Sequence, residues 1–176
     1  MKRIEIPFDK FTCSVVDLLK ARWMLLTAGE NKPGAFNMMT IGWASFGVMW
    51  DRPFAAVVVR PSRYTYEFLE KGRDFTLCAF PEAYRDKLRY CGSKSGRRVD
   101  KVRESGLTAI PSARVKSPAW DEADLIVECR KIYYDDFKPA NFLADNIEGF
   151  YKGSDYHRTY FGEIVAIQGV SSYRCA

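Results

Sequence analysis

The sequence predicts a mainly β fold, a β-barrel with short helices inserted between its strands. Three observations carry that prediction. The 176-residue chain is 47% hydrophobic and 15% aromatic, which excludes disordered and collagenous classes and favours strands. Its apolar runs are short, rich in β-branched residues, and bounded by Pro, Gly and Asp. Amphipathic stretches of helical length separate several of them. With no repeat and no low-complexity segment, residues 1–176 are expected to form one domain.

Residues 1–20 read as an extended lead-in with a short turn, Leu18 and Leu19 packing against the body. Trp23–Gly29 is expected to be the first barrel strand, and Glu30–Ala35, with Pro33-Gly34, a turn. Phe36–Trp50 is apolar almost throughout but carries small residues at Gly42, Ala44, Ser45 and Gly47, so a flat ligand could approach its backbone. Asp51-Arg52-Pro53 turns the chain back through Phe54–Val59, a run suited to a strand buried on both faces. Ser62 is expected to cap a helix from Arg63 to Lys71, closed by Gly72. Asp74–Phe80 reads as a strand, followed by a helix from Pro81 to about Tyr90 that Gly92 terminates. A helix over Arg98–Ser105 ends at Gly106. Arg114–Lys116 and Leu125–Tyr134 read as strands, Lys138–Phe150 as mixed structure, and His157–Ile167 as the closing strand.

The charge balance is +5, from 27 Lys and Arg against 22 Asp and Glu. Arg85, Lys87, Arg89, Lys94, Arg97, Arg98, Lys101 and Arg103 concentrate that excess. So compact a cluster suits a phosphorylated small molecule better than nucleic acid, although a solvated helix face would look the same. Five cysteines without a Cys-x-x-Cys pair suggest neither a disulfide framework nor a zinc site, and a reducing cytoplasm is the expected home. Neither a signal peptide nor a stretch long enough for a membrane span is expected. One histidine, no Gly-x-Ser-x-Gly and no His-Glu-x-x-His argue against hydrolases and metal chemistry. The Ser93-Lys94-Ser95-Gly96 loop fails the P-loop spacing, since Ser93 and not Gly precedes the lysine. A chain poor in its own acid–base groups yet rich in aromatics and anion donors is a candidate for borrowing a cofactor's chemistry. Arg60, Ser62, Arg63 and Thr65, at a strand-to-helix junction, make an anion site of phosphate type.

The runs Asn37-Met38-Met39-Thr40-Ile41-Gly42-Trp43-Ala44-Ser45, Val59-Arg60-Pro61-Ser62-Arg63-Tyr64-Thr65-Tyr66-Glu67 and Tyr90-Cys91-Gly92-Ser93-Lys94-Ser95-Gly96-Arg97-Arg98-Val99-Asp100-Lys101 closely resemble the flavin reductase-like family of FMN-binding split barrels, in its flavoredoxin-like branch. The resemblance spans about 21–170 and implies a split barrel of Greek-key type that binds FMN. It places Thr40, Ile41, Gly42, Trp43, Ala44 and Ser45 against the flavin ring. Arg60, Ser62, Arg63, Thr65 and Tyr66 would lie near phosphate and ribityl, with Cys91, Ser93, Lys94, Ser95 and Lys101 completing the cofactor-binding set. Each residue also has a plainer role open to it: Trp43 as core, Arg60 paired with Glu67 or Asp74, Lys101 capping its helix, Cys91 simply packing. His157, in His-x-x-Tyr-Phe-Gly-Glu-Ile, resembles a family histidine near the face where a nicotinamide docks, but a surface histidine would read the same.

The activity implied is hydride transfer from NADH or NADPH to flavin, with Lys94 or Lys101 stabilising charge at flavin N1–O2. A homodimer with FMN at its interface is implied as well. A flavoredoxin-type electron carrier supplied by a protein partner, and a non-catalytic flavin-binding module, remain alternatives.

Overall fold

The computed structural model describes residues 2–176, the side chain of Lys152 excepted. Its strands are β1 (Ile4–Glu5), β2 (Met24–Gly29), β3 (Phe36–Ile41), β4 (Ala44–Met49), β5 (Arg52–Val59), β6 (Asp74–Ala79), β7 (Ala109–Ile110), β8 (Ala119–Trp120), β9 (Leu125–Asp136) and β10 (Arg158–Gly169). Three α-helices, α1 (Tyr64–Lys71), α2 (Arg85–Ser93) and α3 (Lys101–Ser105), are inserted among them.

The main sheet runs β3-β2-β6-β9-β10-β5-β4, with β1 beside β10 and β7-β8 as a separate pair. Its end strands β3 and β4 are consecutive in the chain, joined only by Gly42 and Trp43. That linker reaches no more than about 11 Å. The two edges of the path therefore meet, and the sheet curls into a barrel with a seam at Gly42–Trp43. The long apolar stretch is thus two strands on opposite sides of a seam.

Side-chain alternation explains why so many strand positions are apolar. Met24, Leu26 and Met39 point into the barrel core with Val57, Phe75, Leu77 and Val127. Their neighbours Leu25 and Met38 face a second core with Leu88, Cys91, Leu107 and Trp120. Strands covered on both faces lose the polar half of the usual alternation. The polar groups that are buried have partners: Trp120 Nε1 donates to Thr27 Oγ1 at 2.9 Å, and the Glu128 carboxylate accepts from the amides of Ala113 and Arg114 at 2.8 and 2.6 Å. Leu18 and Leu19 pack against the body as expected, from a π-helical turn at Asp17–Arg22.

Several local expectations need correction. The hairpin between β4 and β5 turns at Trp50-Asp51, whose φ of 53° and 55° match a type I′ turn, while Arg52 and Pro53 already belong to β5. Arg63, not Ser62, caps α1, and no side chain bonds the helix start. Gly72 keeps an extended φ of −83° and accepts no left-handed role. Gly92 lies inside α2, which runs through Ser93. The helix expected from Arg98 starts at Lys101, because the Asp100 carboxylate caps it by accepting from the Arg103 amide at 3.1 Å. Its end at Gly106, with φ of 61°, is as expected. Arg114–Lys116 is not a strand, since its backbone is held by the Glu128 and Asp74 carboxylates.

Candidate functional site

Two elements converge beside the seam. β5 ends at Val59 and turns through Arg60–Arg63 into α1, while α2 ends at Ser93 and passes through a loop to α3. Arg63 binds them together, its Nη2 donating to the Gly92 carbonyl at 2.8 Å. Arg97 ties them again, donating to the Ser62 carbonyl at 3.0 Å and to Glu67 Oε1 at 2.5 Å. Gly96 touches down between Asn37 and Tyr64. A Cβ there would lie 2.1 Å from Asn37 Oδ1, so this close approach requires glycine.

The space so enclosed is a cleft of about 210 Å³. From the first element it is lined by Ser62, Arg63 and Thr65, and from the second by Ser93, Lys94, Ser95 and Lys101. Seven of the expected residues therefore meet in one place. Asn37 Nδ2 donates to Thr65 Oγ1 at 2.7 Å, fixing that hydroxyl. Lys101 is buried, its Nζ donating to the carbonyls of Met38 and Cys91 at 2.8 and 2.7 Å. Those bonds use two of three ammonium hydrogens. Burial pushes its pKa down to about 8, and the Arg63 charge acts the same way. Burial also lowers the Arg63 pKa, with Arg60 adding to the effect. Cations clustered out of water in this way gain from an anion between them. A wider cleft of about 730 Å³ adjoins this one and shares Asn37, Tyr64, Gly96 and Lys101 with it.

The seam is built differently. Trp43 is 47% exposed, neither core nor fully open. Its ring centroid lies 5.7 Å from Phe150 and 5.1 Å from His157. Thr40 turns away from this surface, its Oγ1 donating to the Leu88 carbonyl at 2.5 Å. Ile41 is buried in the barrel core, and Gly42 lies against the Leu19 carbonyl. Ala44 is half-buried against the core, while Ser45 is exposed on the edge strand β4. Contact of Thr40 and Ile41 with a ring here would use their backbone.

Four further expectations shift. Arg60 pairs with neither Glu67 nor Asp74; its Nη2 donates to the Phe150 carbonyl at 2.7 Å and its guanidinium lies over the Tyr151 ring at 5.2 Å. Tyr66, one residue and about 100° of helix turn beyond Thr65, faces Tyr160 and Arg158 instead of the cleft. Cys91 keeps its thiol in the second core, where burial raises its pKa, a setting of low reactivity. His157 is buried, within 3.0 Å of the Tyr151 hydroxyl, and burial with the nearby Arg60 pushes its pKa down to about 4. It is a neutral imidazole at pH 7, suited to shaping the aromatic surface under Trp43 and unsuited to acting as a cationic acid.

Asn37, Gly96 and Asp155 were missed. Asn37 and Gly96 stand within the runs that resemble the family, and only the fold brings them together. Nothing local marks Asp155, which accepts from the Ser62 amide and hydroxyl at 3.2 and 2.5 Å across 93 positions. The donors of the cleft, a guanidinium, two ammonium groups and several hydroxyls, fit a phosphate monoester. Among the described residues, no group of three or more His, Cys, Asp or Glu is placed to hold a metal ion. No described helix is long and apolar enough to cross a membrane.

A family model for the flavin reductase like domain matches residues 17–172. An uncharacterized protein of Archaeoglobus fulgidus is 29% identical over 65% of this chain and 63% of its own length. One of Pyrococcus abyssi is 30% identical over 64% and 62%. The matched stretch spans less than two thirds of either relative. Among solved structures, the flavoredoxin of Methanosarcina acetivorans is 26% identical with a TM-score of 0.67, over 97% of this chain and 74% of that one. The match over nearly the whole chain, including both elements that form the cleft and the seam beside it, leads to one conclusion: this chain belongs to the flavin reductase-like domain family.

Proposed function

We propose that the protein is an FMN-binding oxidoreductase in which NADH or NADPH reduces the flavin and the electrons pass to a further acceptor. The observation that carries this reading is the convergence of Arg63, Thr65, Ser93, Lys94, Ser95 and Lys101 on one small cleft at the barrel seam. The phosphate would sit there, held by Arg63 and Lys101 and by the hydroxyls. From that anchor the ring would run towards Gly42–Trp43, where backbone groups and the Trp43 face orient it. FMN, when bound, supplies the hydride-accepting chemistry. The chain's task is to hold the ring and exclude water. Neutral His157 and its Tyr151 partner keep the aromatic floor in place. Because Lys94 and Lys101 both line the phosphate cleft, their charge is assigned to the phosphate and not to the N1–O2 edge.

The reading includes a homodimer. The edge strand β4 exposes Ser45, Gly47 and Val48 beside half-exposed Trp43, a surface that a second copy would cover to complete the ring site. Five free cysteines accord with a reducing compartment. A second reading, an electron carrier fed by a protein donor, draws on the likeness to the Methanosarcina acetivorans flavoredoxin. Anaerobic titration decides between them. The purified protein with FMN should bleach in the visible on adding NADH or NADPH; bleaching only with a reduced electron-transfer protein would favour the carrier. Failure to bind FMN at all would end both.

A further inference from the structure

Between β9 and β10 the chain leaves the sheet at Phe137 and returns at His157. This strap consists of short 3-10 turns and lies across the seam. Three of its fastenings are Arg60 Nη2 on the Phe150 carbonyl, Phe150 against Trp43, and Asp155 on Ser62. The third is unlike the others. Asp155 Oδ1 accepts from the Ser62 amide at 3.2 Å and Oδ2 accepts from the Ser62 hydroxyl at 2.5 Å. A carboxylate thus holds both donors of a residue that lines the phosphate cleft. Ser154, immediately before it, has a φ of 59°, a left-handed conformation unfavourable for a non-glycine residue. The Asp155 charge also reaches Arg63, the principal cation of the cleft.

Resting on the flavin-phosphate reading above, we propose that Asp155 is a specificity-determining residue: its carboxylate and the flavin phosphate compete for the same Ser62 donors. Two anions cannot share one amide and one hydroxyl without repulsion. A phosphorylated flavin must therefore displace Asp155 and loosen the strap, whereas riboflavin, which brings no anion, need not. The chain's own carboxylate sets how far the site prefers FMN over its dephosphorylated form.

The test compares FMN and riboflavin affinities, read by flavin fluorescence quenching, in the full-length protein. Asp155→Asn removes the charge and keeps the side chain's shape. It should tighten FMN binding about tenfold, the scale of one charge-assisted hydrogen bond, while riboflavin affinity moves less than about twofold. In a Ser62→Ala background, which removes the shared hydroxyl and leaves the shared amide, the same substitution should tighten FMN by only about threefold and move riboflavin by less than about twofold. Asp155→Ser serves as a second variant if the first fails to fold, judged by circular dichroism. Weaker or unchanged FMN binding in a folded Asp155 variant, or equal shifts for both flavins, would overturn the proposal and leave Asp155 as a fastening of the strap. Wild-type protein that binds neither flavin would instead refute the functional reading, before any variant is made.

Discussion

The cleft and the seam are neighbours built by opposite means. In the cleft, polar side chains make the surface: Arg63, Lys101 and the serines line one space, and backbone carbonyls hold the two cations in place. At the seam the side chains of Thr40 and Ile41 are committed elsewhere, and what remains for a ligand is backbone and the face of Trp43. The difference teaches where mutations should report. Substitutions in the cleft should discriminate between FMN and riboflavin, and substitutions at the seam should not.

The largest effect is expected for Arg63→Ala, which should weaken FMN binding by ~1–3 kcal/mol and leave riboflavin almost untouched. Isothermal titration with both flavins checks this; an equal loss for both would erase the distinction between the two regions. Next comes Gly96→Ala. Its Cβ would press on Asn37 and Tyr64, moving the loop and costing ~1–2 kcal/mol of FMN affinity.

Lys101 supplies a pH test. Below about pH 8 its ammonium is charged in the free protein. A bound phosphate favours that charged form, so FMN affinity should hold steady between about pH 7 and this value, where the phosphate keeps its second charge, and fall as pH rises through it. Lys101→Met should flatten the profile over the same range. Persistence of the slope in that variant would assign it to another group.

At the seam, Trp43→Ala should cost ~0.5–1.5 kcal/mol for FMN and riboflavin alike, as loss of an aromatic contact does. Ser45→Ala should change either affinity by less than ~0.5 kcal/mol in dilute monomer. A larger loss for Ser45→Ala appearing only at dimer-forming concentrations, followed by ultracentrifugation, would assign that side chain to a ring site completed between two copies.

Much of this was legible in the chain itself. Residue type and spacing mark the strand-to-helix junction at Ser62, Arg63 and Thr65, the family resemblance adds the loop from Ser93 to Lys101, and the fold brings the two to one cleft. Local spacing also has limits. Ser62 reads as a helix cap, yet Asp155, far off in sequence, takes its side chain. Tyr66 sits one position past the cleft and is turned off it by helix geometry, which a run of similar residues does not reveal. The apolar stretch Phe36–Met49 hides its own break, because β4 stays apolar even where it is exposed, as at Val48, so residue type does not change across Gly42. Arg114–Lys116 suited a strand by composition but is held by carboxylates that arrive from β9 and β6.

The sheet order also bears on how the protein comes off the ribosome. Among the described residues, the β4–β5 hairpin, with Arg60 and Ser62 just beyond it, has β10 as its only other sheet partner, in register from Arg158 against Val59 to Glu163 against Phe54. About a hundred residues must be translated after that hairpin before its partner emerges. Until then the β5 edge that β10 will pair with stays open, an unpaired apolar ribbon of the kind chaperones retain. The cleft, lined by residues between Asn37 and Lys101, is already translated by then, and the strap that reaches the seam at Phe150 and Ser62 arrives only at the end.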